Sequence, residues 1–282
     1  MIIAVISRKG GVSKTTTAVN LGAALAGIGK RVLLVDADSQ ASASLSLGVP
    51  RSALFPCLAD VLLGDRPALD TIRSTATLGL DLITASTDLQ SFDRQIGDRA
   101  NRESRIKEAL EAVVPRYDFV LLDCPPQNSL LSLNCLVAAR NLIVPIVPNY
   151  LAATSLEPLL WTVERLPATY GVRPKFLGIC LTQVDYRTKV ARETVGQIRE
   201  RFGRSVFAVE IRTNVRLAEA PAAGQTIFEY DPQSTGAKAY RLLAAEMLMR
   251  LKAAEAPARP QFARAENARP TFNAYPSTHD VH

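Results

Sequence analysis

Residues 8–16 of the chain read RKGGVSKTT and lie between a short apolar run and a segment with helical spacing. Glycines such as Gly10 and Gly11 let backbone N–H groups turn toward a phosphate, and the start of a helix adds a favourable dipole. In such a loop Lys14 would reach the β- and γ-phosphates, and the Thr15 hydroxyl would bind Mg²⁺. A glycine-rich turn that only begins a helix is the alternative, but the order of strand, loop, Lys-Thr and helix favours a phosphate site.

The rest of the chain predicts an α/β fold around this loop. Short apolar runs alternate with helical patterns, and the runs VLLVD and FVLLD are apolar on both faces, which is typical of central parallel strands. We therefore predict a doubly wound, mostly parallel sheet flanked by helices. The predicted strands span residues 2–7, 31–36, 80–84, 119–123, 141–145, 176–183 and 206–211. The predicted helical stripes are Ala18, Leu21, Gly22 and Leu25, and more weakly Val190, Thr194, Ile198 and Phe202.

Composition excludes several classes of protein. With 48% hydrophobic residues among 282, the chain can build a full core, so it is neither intrinsically disordered nor a coiled coil. The net charge of +6 permits nucleic acid or an anionic membrane as a partner without selecting either. The four cysteines form no C-x-x-C pair, which argues against a zinc ribbon or a disulfide framework. Since the chain has neither a signal peptide nor an apolar run of ~20 residues, we expect a cytoplasmic protein.

One domain and a tail account for the length of the chain. A last helix is predicted over residues 236–252, and the domain is expected to span residues 1–252. Residues 253–282 are rich in Pro and Ala and lack periodicity, so we expect a disordered tail. The alternative is that the aromatic residues of this tail dock a partner.

The phosphate loop departs from the ordinary P-loop pattern, G-x-x-x-x-G-K-[ST], because Arg8 and Ser13 occupy its two glycine positions. It resembles the deviant Walker A motif, K-G-G-x-x-K-[ST], of the ParA/MinD superfamily, and the resemblance extends over about residues 2–251. A single P-loop ATPase domain that uses ATP and Mg²⁺ is what this resemblance implies. Most relatives have glycine in place of Ser13, whose Cβ can narrow the loop.

The resemblance also implies a set of nucleotide-binding and catalytic residues. The nucleotide-binding residues within the loop are Lys9, Gly10, Gly11, Val12, Ser13, Lys14, Thr15 and Thr16. In that family the early lysine, here Lys9, reaches across a dimer interface to the nucleotide of the partner chain. Together with Lys14 it would offset charge that develops during phosphoryl transfer, as arginine fingers do.

Two strand ends carry acidic residues that agree with this assignment. RVLLVDAD, at residues 31–38, resembles the switch I region of the family, which implies that Asp36 lies near the Mg²⁺ site and Asp38 positions the attacking water. YDFVLLDCPP, at residues 117–126, resembles the Walker B strand and switch II, with Asp123 holding the metal through its water shell. Carboxylates at the carboxyl ends of strands lie at the crevice where ligands bind in open α/β sheets. A solvated turn is the alternative for an isolated acid, but the spacing after the phosphate loop favours a site.

Three later blocks resemble the ParA/Soj branch, which segregates chromosomes and plasmids. They are LTQVDYRT at residues 181–188, NVRLAEAPAAG at 214–224 and YDPQSTGAKAY at 230–240. The resemblance implies a nucleoid-associated, ATP-dependent homodimer that binds double-stranded DNA without sequence preference. Hydrolysis prompted by a ParB-like partner would release the DNA. It further implies that Asn214 contributes to the nucleotide site.

Two arginines are the DNA-binding candidates of this branch. Arg187 and Arg216 match arginines of its DNA-facing surface. Neutralising phosphates releases counterions, which explains the lack of sequence preference and predicts sensitivity to salt. A solvated face or a surface ion pair is the alternative for any single arginine. Charge alone adds Arg192, Arg199 and Lys238 as weaker candidates.

Several departures from the family pattern leave other functions open. Residues 38–42 read DSQAS instead of D-P-Q-G-N, residues 212–217 lack a proline near the adenine pocket, and residues 149–155 read NYLAATS instead of E-Y-Y-A-L-E-G. These changes could retune nucleotide affinity or mark a paralogue that positions another cargo. Ser13 could weaken hydrolysis and leave a nucleotide-gated adaptor.

A MinD-like membrane ATPase is a further alternative, since such proteins end in a short amphipathic helix. Here the stretch AAEMLMRLKAA is interpreted as the packed last helix of the domain, and prolines beyond it interrupt any helix. We therefore expect no membrane partner. Because the phosphate loop begins within ten residues of Met1, we expect the short ParA type without an N-terminal operator-binding domain.

Overall fold

The computed structural model describes residues 1–64, 66–97, 99–126, 129–149 and 156–255. Its strands are β1 (Ile2–Val5), β2 (Val32–Asp36), β3 (Ile72–Ser74), β4 (Leu80–Ile83), β5 (Phe119–Asp123), β6 (Asn141–Ile146) and β7 (Lys175–Leu181). They form one sheet in the order β3-β4-β2-β5-β1-β6-β7. Strand β3 pairs antiparallel with β4, and all other neighbours in this sheet are parallel.

Helices cover both faces of the sheet, which confirms the predicted doubly wound α/β fold. The α-helices of the described residues are α1 (Lys14–Ala26), α2 (Ser42–Ser46), α3 (Leu58–Leu63), α4 (Phe92–Ile96), α5 (Arg105–Leu110), α6 (Leu130–Ala138), α7 (Glu157–Tyr170), α8 (Lys189–Phe202), α9 (Val215–Glu219), α10 (Ile227–Tyr230) and α11 (Thr235–Glu255). Short 3₁₀ helices lie at Arg51–Ala53, Ala68–Thr71, Thr87–Ser91, Val114–Arg116, Gly203–Ser205 and Ala220–Ala223.

Alternate side chains of the strands enter two hydrophobic cores, one on each face of the sheet. In β1, Ile2 and Ala4 belong to one core and Ile3 and Val5 to the other. Helices α3 to α8 cover the first core, and α1 and α11 cover the second. Each large aliphatic side chain that is fully buried in this way contributes about 1.5–3 kcal/mol.

Helices α1 and α11 confirm two predictions from helical spacing. The predicted stripe of α1 is buried at all four positions, Ala18, Leu21, Gly22 and Leu25. The predicted last helix is α11, which begins one residue earlier and continues to Glu255. Tyr240 of α11 is fully buried, and its hydroxyl lies 3.3 Å from the Thr17 hydroxyl of α1. The two helices therefore share a hydrogen bond as well as apolar contacts.

Residues 206–211 do not form the predicted strand. The N–H groups of Ala208 and Val209 donate to the carboxylate of Glu246 on α11, at 2.8 and 2.9 Å, instead of to a neighbouring strand. Because a side chain takes these donors, the ladder is interrupted and only isolated bridges remain in this region. The acceptor lies 38 and 37 residues away along the chain, so the local apolar pattern carries no sign of it.

Two further elements differ from the sequence prediction. The edge strand β3 is not among the predicted strands, because it has only three residues and no fully buried side chain and so lacks a hydrophobic pattern in the sequence. On α8 the predicted stripe is wrong at Val190, which is 53% exposed. The buried face of α8 is formed by Ala191, Thr194, Val195 and Ile198. Their i, i+3, i+4, i+7 spacing is that of an amphipathic helix whose buried face begins at Ala191, one residue after the predicted start at Val190.

No helix within the described ranges is long and apolar enough to cross a membrane. The stretch AAEMLMRLKAA belongs to α11, where Ala244, Met247 and Leu251 are buried in the core, as the packed-helix interpretation requires. Helix α11 extends three residues into the predicted tail. The remainder of that tail, and positions 150–155 of the NYLAATS departure, lie outside the described residues.

Candidate nucleotide-binding site

The carboxyl ends of the neighbouring strands β2, β5 and β1 meet at one edge of the sheet. In the strand register Asp123 pairs with Asp36 on one side and with Val5 on the other. Residues 6–13 leave β1 directly beyond Val5 and lead into α1. The fold therefore brings together the phosphate loop and both strand-end acids, in the place where open α/β sheets bind ligands.

The phosphate loop turns through two residues with left-handed backbone. Gly11 has φ 72° and Ser13 has φ 61°. Ser13 is the N-cap of α1, and its carbonyl accepts the N–H of Thr17 at 2.9 Å. A Cβ added to Gly10 or Gly11 would meet nothing within 4 Å, so the loop has open space beside it. The backbone of Ser13 is therefore left-handed, a conformation that costs free energy in a residue with a Cβ.

The two predicted lysines lie in different environments. Lys14 is 7% exposed and its Nζ donates to the Lys9 carbonyl at 3.4 Å, whereas the Lys9 side chain is exposed. Burial lowers the pKa of Lys14, and the Asp123 carboxylate partly offsets this effect. Lys14 thus lies inside the loop and the Lys9 side chain faces solvent, and the roles of both at a nucleotide stay predictions.

Thr15 and Asp123 connect the phosphate loop to strand β5. The Thr15 hydroxyl donates to Asp123 Oδ2 at 2.7 Å, while Asp123 Oδ1 is buried without a hydrogen-bond partner among the described residues. Burial, together with the charge of Asp36, raises the pKa of Asp123 well above its usual range. A buried carboxylate oxygen without a partner, next to a hydroxyl, fits Mg²⁺, which is often held by one or two carboxylates plus substrate phosphates. Among the described residues, no group of three or more His, Cys, Asp or Glu could hold a metal ion by itself.

Asp36 is engaged by the segment that follows β2. Its Oδ2 accepts the Ser44 N–H at 2.8 Å and the Ser44 hydroxyl at 2.7 Å, and its Oδ1 accepts the Asp38 N–H at 3.2 Å. Burial raises the pKa of Asp36 to about 6, although these hydrogen bonds act in the opposite direction. Asp36 therefore ties α2 to the acidic edge, and direct metal contact by it stays a prediction. Ser44, which the sequence analysis missed, is recognisable only as a hydroxyl residue shortly after the D-x-D motif.

Asp38 begins the turn that joins β2 to α2 and is half-buried. Its Oδ1 accepts the Gln40 N–H at 3.0 Å, and its carbonyl accepts the N–H of Ala41 at 2.8 Å. Its charge is one of those that oppose the lowering of the Lys14 pKa by burial, so the two residues lie near each other. The structure thus brings Asp38 to the phosphate loop, and its role in orienting water stays a prediction.

Helix α2 leads to a contact with the NVRLAEAPAAG segment. Gly48, just after α2, packs against Gly224, and both have positive φ, 80° and 66°. A Cβ added to Gly224 would lie 2.7 Å from the Gly48 Cα, and one added to Gly48 would lie 3.0 Å from the Gly224 oxygen. Residues 215–224, which include Arg216, therefore lie directly against the segment that Asp36 holds.

Asn214 caps helix α9. Its Oδ1 accepts the Arg216 N–H at 2.8 Å, and its Nδ2 donates to the Thr235 hydroxyl at 2.7 Å. These bonds join the start of α9 to the start of α11. The structure therefore gives Asn214 a local structural role, and its contribution to nucleotide binding stays a prediction.

Arg187 and Arg216 are exposed, and each is paired with acidic residues. Arg187 forms a bidentate pair with Asp185, at 2.8 and 2.7 Å, and these hydrogen bonds lower the pKa of Asp185 to about 2. Arg216 donates to Glu219 at 2.9 Å and lies 3.6 Å from Asp231. Phosphates of a nucleic acid would have to compete with these carboxylates for both arginines.

The weaker cationic candidates differ from one another. Arg199 donates to Glu210 and to the carbonyls of Phe207 and Ala208, so it braces the segment beyond β7. Arg192 donates to the Tyr186 carbonyl at 2.6 Å, within the block that contains Arg187. The Lys238 side chain is exposed. Of the three, Arg199 is the one with an evident structural role.

Comparison with known families and proteins agrees with this geometry. The model of an AAA domain family matches residues 1–176. The sporulation initiation inhibitor protein Soj of Bacillus subtilis is 41% identical over 246 residues, which cover 87% of this chain and 97% of Soj. The chromosome partitioning protein ParA of Caulobacter vibrioides is 39% identical over 251 residues, which cover 88% of this chain and 94% of ParA.

Solved structures with the same fold include one with a bound nucleotide and magnesium. The cobyrinic acid a,c-diamide synthase of Mycobacterium smegmatis, with a bound ATP analogue and magnesium, has a TM-score of 0.78 and 34% identity, covering 90% of this chain and 96% of the synthase. The cell division ATPase MinD of Pyrococcus furiosus has a TM-score of 0.74 and 25% identity, covering 88% of this chain and 98% of MinD.

Proposed function

The chain belongs to the Soj/ParA family of chromosome-partitioning P-loop ATPases, and we propose that it is an ATP-dependent switch on DNA. In this proposal the ATP-bound protein forms a homodimer and binds nucleoid DNA in the cytoplasm without sequence preference. Hydrolysis stimulated by a ParB-like partner releases the DNA. The observation that carries the proposal is the contrast between the buried Lys14 and the exposed Lys9.

The two lysines support a nucleotide site that is completed by a second copy of the chain. Lys14, beside Asp123, would bind the phosphates of ATP in its own loop. Lys9 would reach the phosphates of the other copy. Positive charge from both sides would offset the charge that develops on the transferred phosphoryl group, and hydrolysis requires little other chemistry from the protein.

The acidic edge supports hydrolysis rather than binding alone. Thr15 and Asp123 would hold Mg²⁺, which, when bound, neutralises charge on the β- and γ-phosphate oxygens. Asp38, half-buried at the same edge, would orient the attacking water. The hydrogen bonds between Asp36 and Ser44 connect this edge to α2. Hydrolysis of the nucleotide would therefore shift the switch I segment through Asp36.

The names of the similar proteins favour partitioning over a synthase. The two partitioning relatives share 41% and 39% of their residues with this chain, against 34% for the solved structure that carries the synthase name. Arg187 and Arg216 add exposed cations in two motifs of the partitioning branch. Chromosome, plasmid or another cargo are all compatible with such a switch.

The decisive experiment measures DNA binding in each nucleotide state. A fluorescently labelled duplex of random sequence is titrated with protein in the presence of ATP, ADP or no nucleotide, at several salt concentrations. We expect ATP-selective binding that weakens steeply with salt. Lys14→Ala and Lys9→Ala should both abolish the ATP effect, whereas Lys107→Ala, an exposed lysine on α5, is the matched control for loss of charge.

The outcomes separate the functions considered above. Equal DNA binding in all nucleotide states, or an intact ATP effect in both loop variants, would contradict the proposed switch. ATP-dependent pelleting with anionic liposomes, in place of DNA binding, would indicate a MinD-like protein instead.

A further inference from the structure

Thr182 and Gln183, just beyond the end of β7, hold the phosphate loop through their side chains. The Thr182 hydroxyl donates to the Val12 carbonyl at 3.1 Å. Gln183 Nε2 donates to the Gly11 carbonyl at 3.1 Å and to Ser13 Oγ at 2.8 Å. Thr182 is itself fully buried, and its N–H bonds to a carbonyl of β6. Three successive residues of the loop are therefore tied to one rigid strand end.

The orientation of the Gln183 amide follows from its partners. A backbone carbonyl only accepts hydrogen bonds, so the nitrogen of the amide must face Gly11. The same nitrogen then donates to the Ser13 hydroxyl, which a glycine at this position would lack. The second bond from Gln183 thus exists only because residue 13 of this chain is a serine.

Both partners of this bond have strained backbone conformations. The non-glycine residues with positive φ in the described ranges are Ser13, Ala41, Asn101 and Gln183. Two of these four are hydrogen-bonded to each other, although they are 170 residues apart along the chain. Strained backbone persists where surrounding contacts hold it, and it is concentrated at functional sites. The hydrogen bond to Gln183 is a contact of this kind for Ser13.

We propose that Gln183 is a positioning residue for the nucleotide site, which holds the phosphate loop in the left-handed turn that Ser13 would otherwise resist. The inference rests on the proposed function, since it assigns Gln183 to the ATP site of the same protein. Gln183 acts through Ser13 and Gly11 rather than on the reacting atoms. It therefore affects the affinity for nucleotide and the KM for ATP more than kcat.

The test combines loss of the bond with relief of the strain. Gln183→Met keeps the length of the side chain and removes the donor, and we expect it to raise the Kd for a fluorescent ADP analogue about three- to tenfold. Adding Ser13→Gly to that variant removes the strain, and we expect it to recover most of the lost affinity. Gln197→Met, at an exposed position of α8, is the matched control. Steady-state ATP hydrolysis should show the loss in KM, with kcat changed by less than about twofold.

Each result of the nucleotide-binding test either supports or overturns the role proposed for Gln183. Weaker binding that glycine at position 13 restores supports the inference, because the loss then depends on the residue that Gln183 holds. Unchanged binding in Gln183→Met, or a loss that Ser13→Gly does not reduce, overturns it while the proposed function stands. A wild-type protein that binds no ADP analogue overturns the proposed function and this inference together.

Discussion

We expect the Asp123 carboxylate to destabilise the protein in the absence of metal. It is fully buried, its Oδ1 has no partner in the described residues, and burial raises its pKa. Asp123→Asn should therefore increase the free energy of unfolding without Mg²⁺ by about 1–3 kcal/mol at pH 8. The same variant should lose the additional stability that Mg²⁺ and ADP together give the wild type. Thermal unfolding measures both effects, with the exposed Asp70→Asn as control.

The raised pKa values of Asp36 and Asp123 also predict a pH dependence. A carboxyl group with a raised pKa in the folded state binds its proton more tightly there than in the unfolded chain. Its contribution to stability is fully present below the unfolded value of about 4 and is lost as the pH rises through the folded value, about 6 for Asp36. In Mg²⁺-free buffer the advantage of Asp123→Asn over wild type should therefore be small near pH 4 and grow toward pH 8. An advantage that is independent of pH would contradict the buried-charge explanation.

At the scale of the element, the Glu246 carboxylate of α11 takes the place of the backbone acceptors that a neighbouring strand would provide. It accepts the N–H groups of Ala208 and Val209 and two hydrogen bonds from Arg250. Glu246→Ala would leave the N–H groups of Ala208 and Val209 without their acceptor and would remove the carboxylate from Arg250, which keeps its bonds to the Leu177 and Val206 carbonyls. The free energy of unfolding should fall by about 2–4 kcal/mol. Glu246→Gln keeps one acceptor oxygen and should lose about half as much. Urea denaturation compares both with Glu200→Ala on the exposed side of α8, and equal stabilities would refute the assigned role.

The strands also show which parts of the fold local sequence patterns can predict. The runs VLLVD and FVLLD predict β2 and β5 correctly because these strands are buried on both faces, and the phosphate loop is predicted by residue types at fixed spacing. Residues 206–211 are mispredicted because their hydrogen-bond acceptor is contributed by a helix 37 or 38 residues further along. The bond from Gln183 to Ser13 is equally invisible, since a pair 170 residues apart meets only in the folded protein.

At the scale of the whole molecule, the two arginines proposed to bind DNA, Arg187 and Arg216, are each paired with nearby carboxylates. Asp185→Asn should free Arg187 and raise the affinity for DNA in the presence of ATP about two- to fivefold. Arg187→Ala should weaken binding uniformly across sequences and reduce the slope of log K against log salt by about 1. Fluorescence anisotropy at several salt concentrations measures both. Glu200→Gln removes a negative charge elsewhere on the surface, and an equal gain from it would mean that only net charge matters.

The contact between Gly48 and Gly224 has a consequence for how displacements pass through the chain. Where even a methyl group would lie 2.7 Å from a backbone atom, no free volume remains to absorb a displacement. A displacement of the chain after α2 toward this contact would therefore push on residues 215–224. Arg216 is on that segment, so its position is coupled to the chain after α2, which Asp36 holds through Ser44. In the proposed function, a displacement at the nucleotide edge would therefore reach the arginine proposed to bind DNA through the contact between these two glycines.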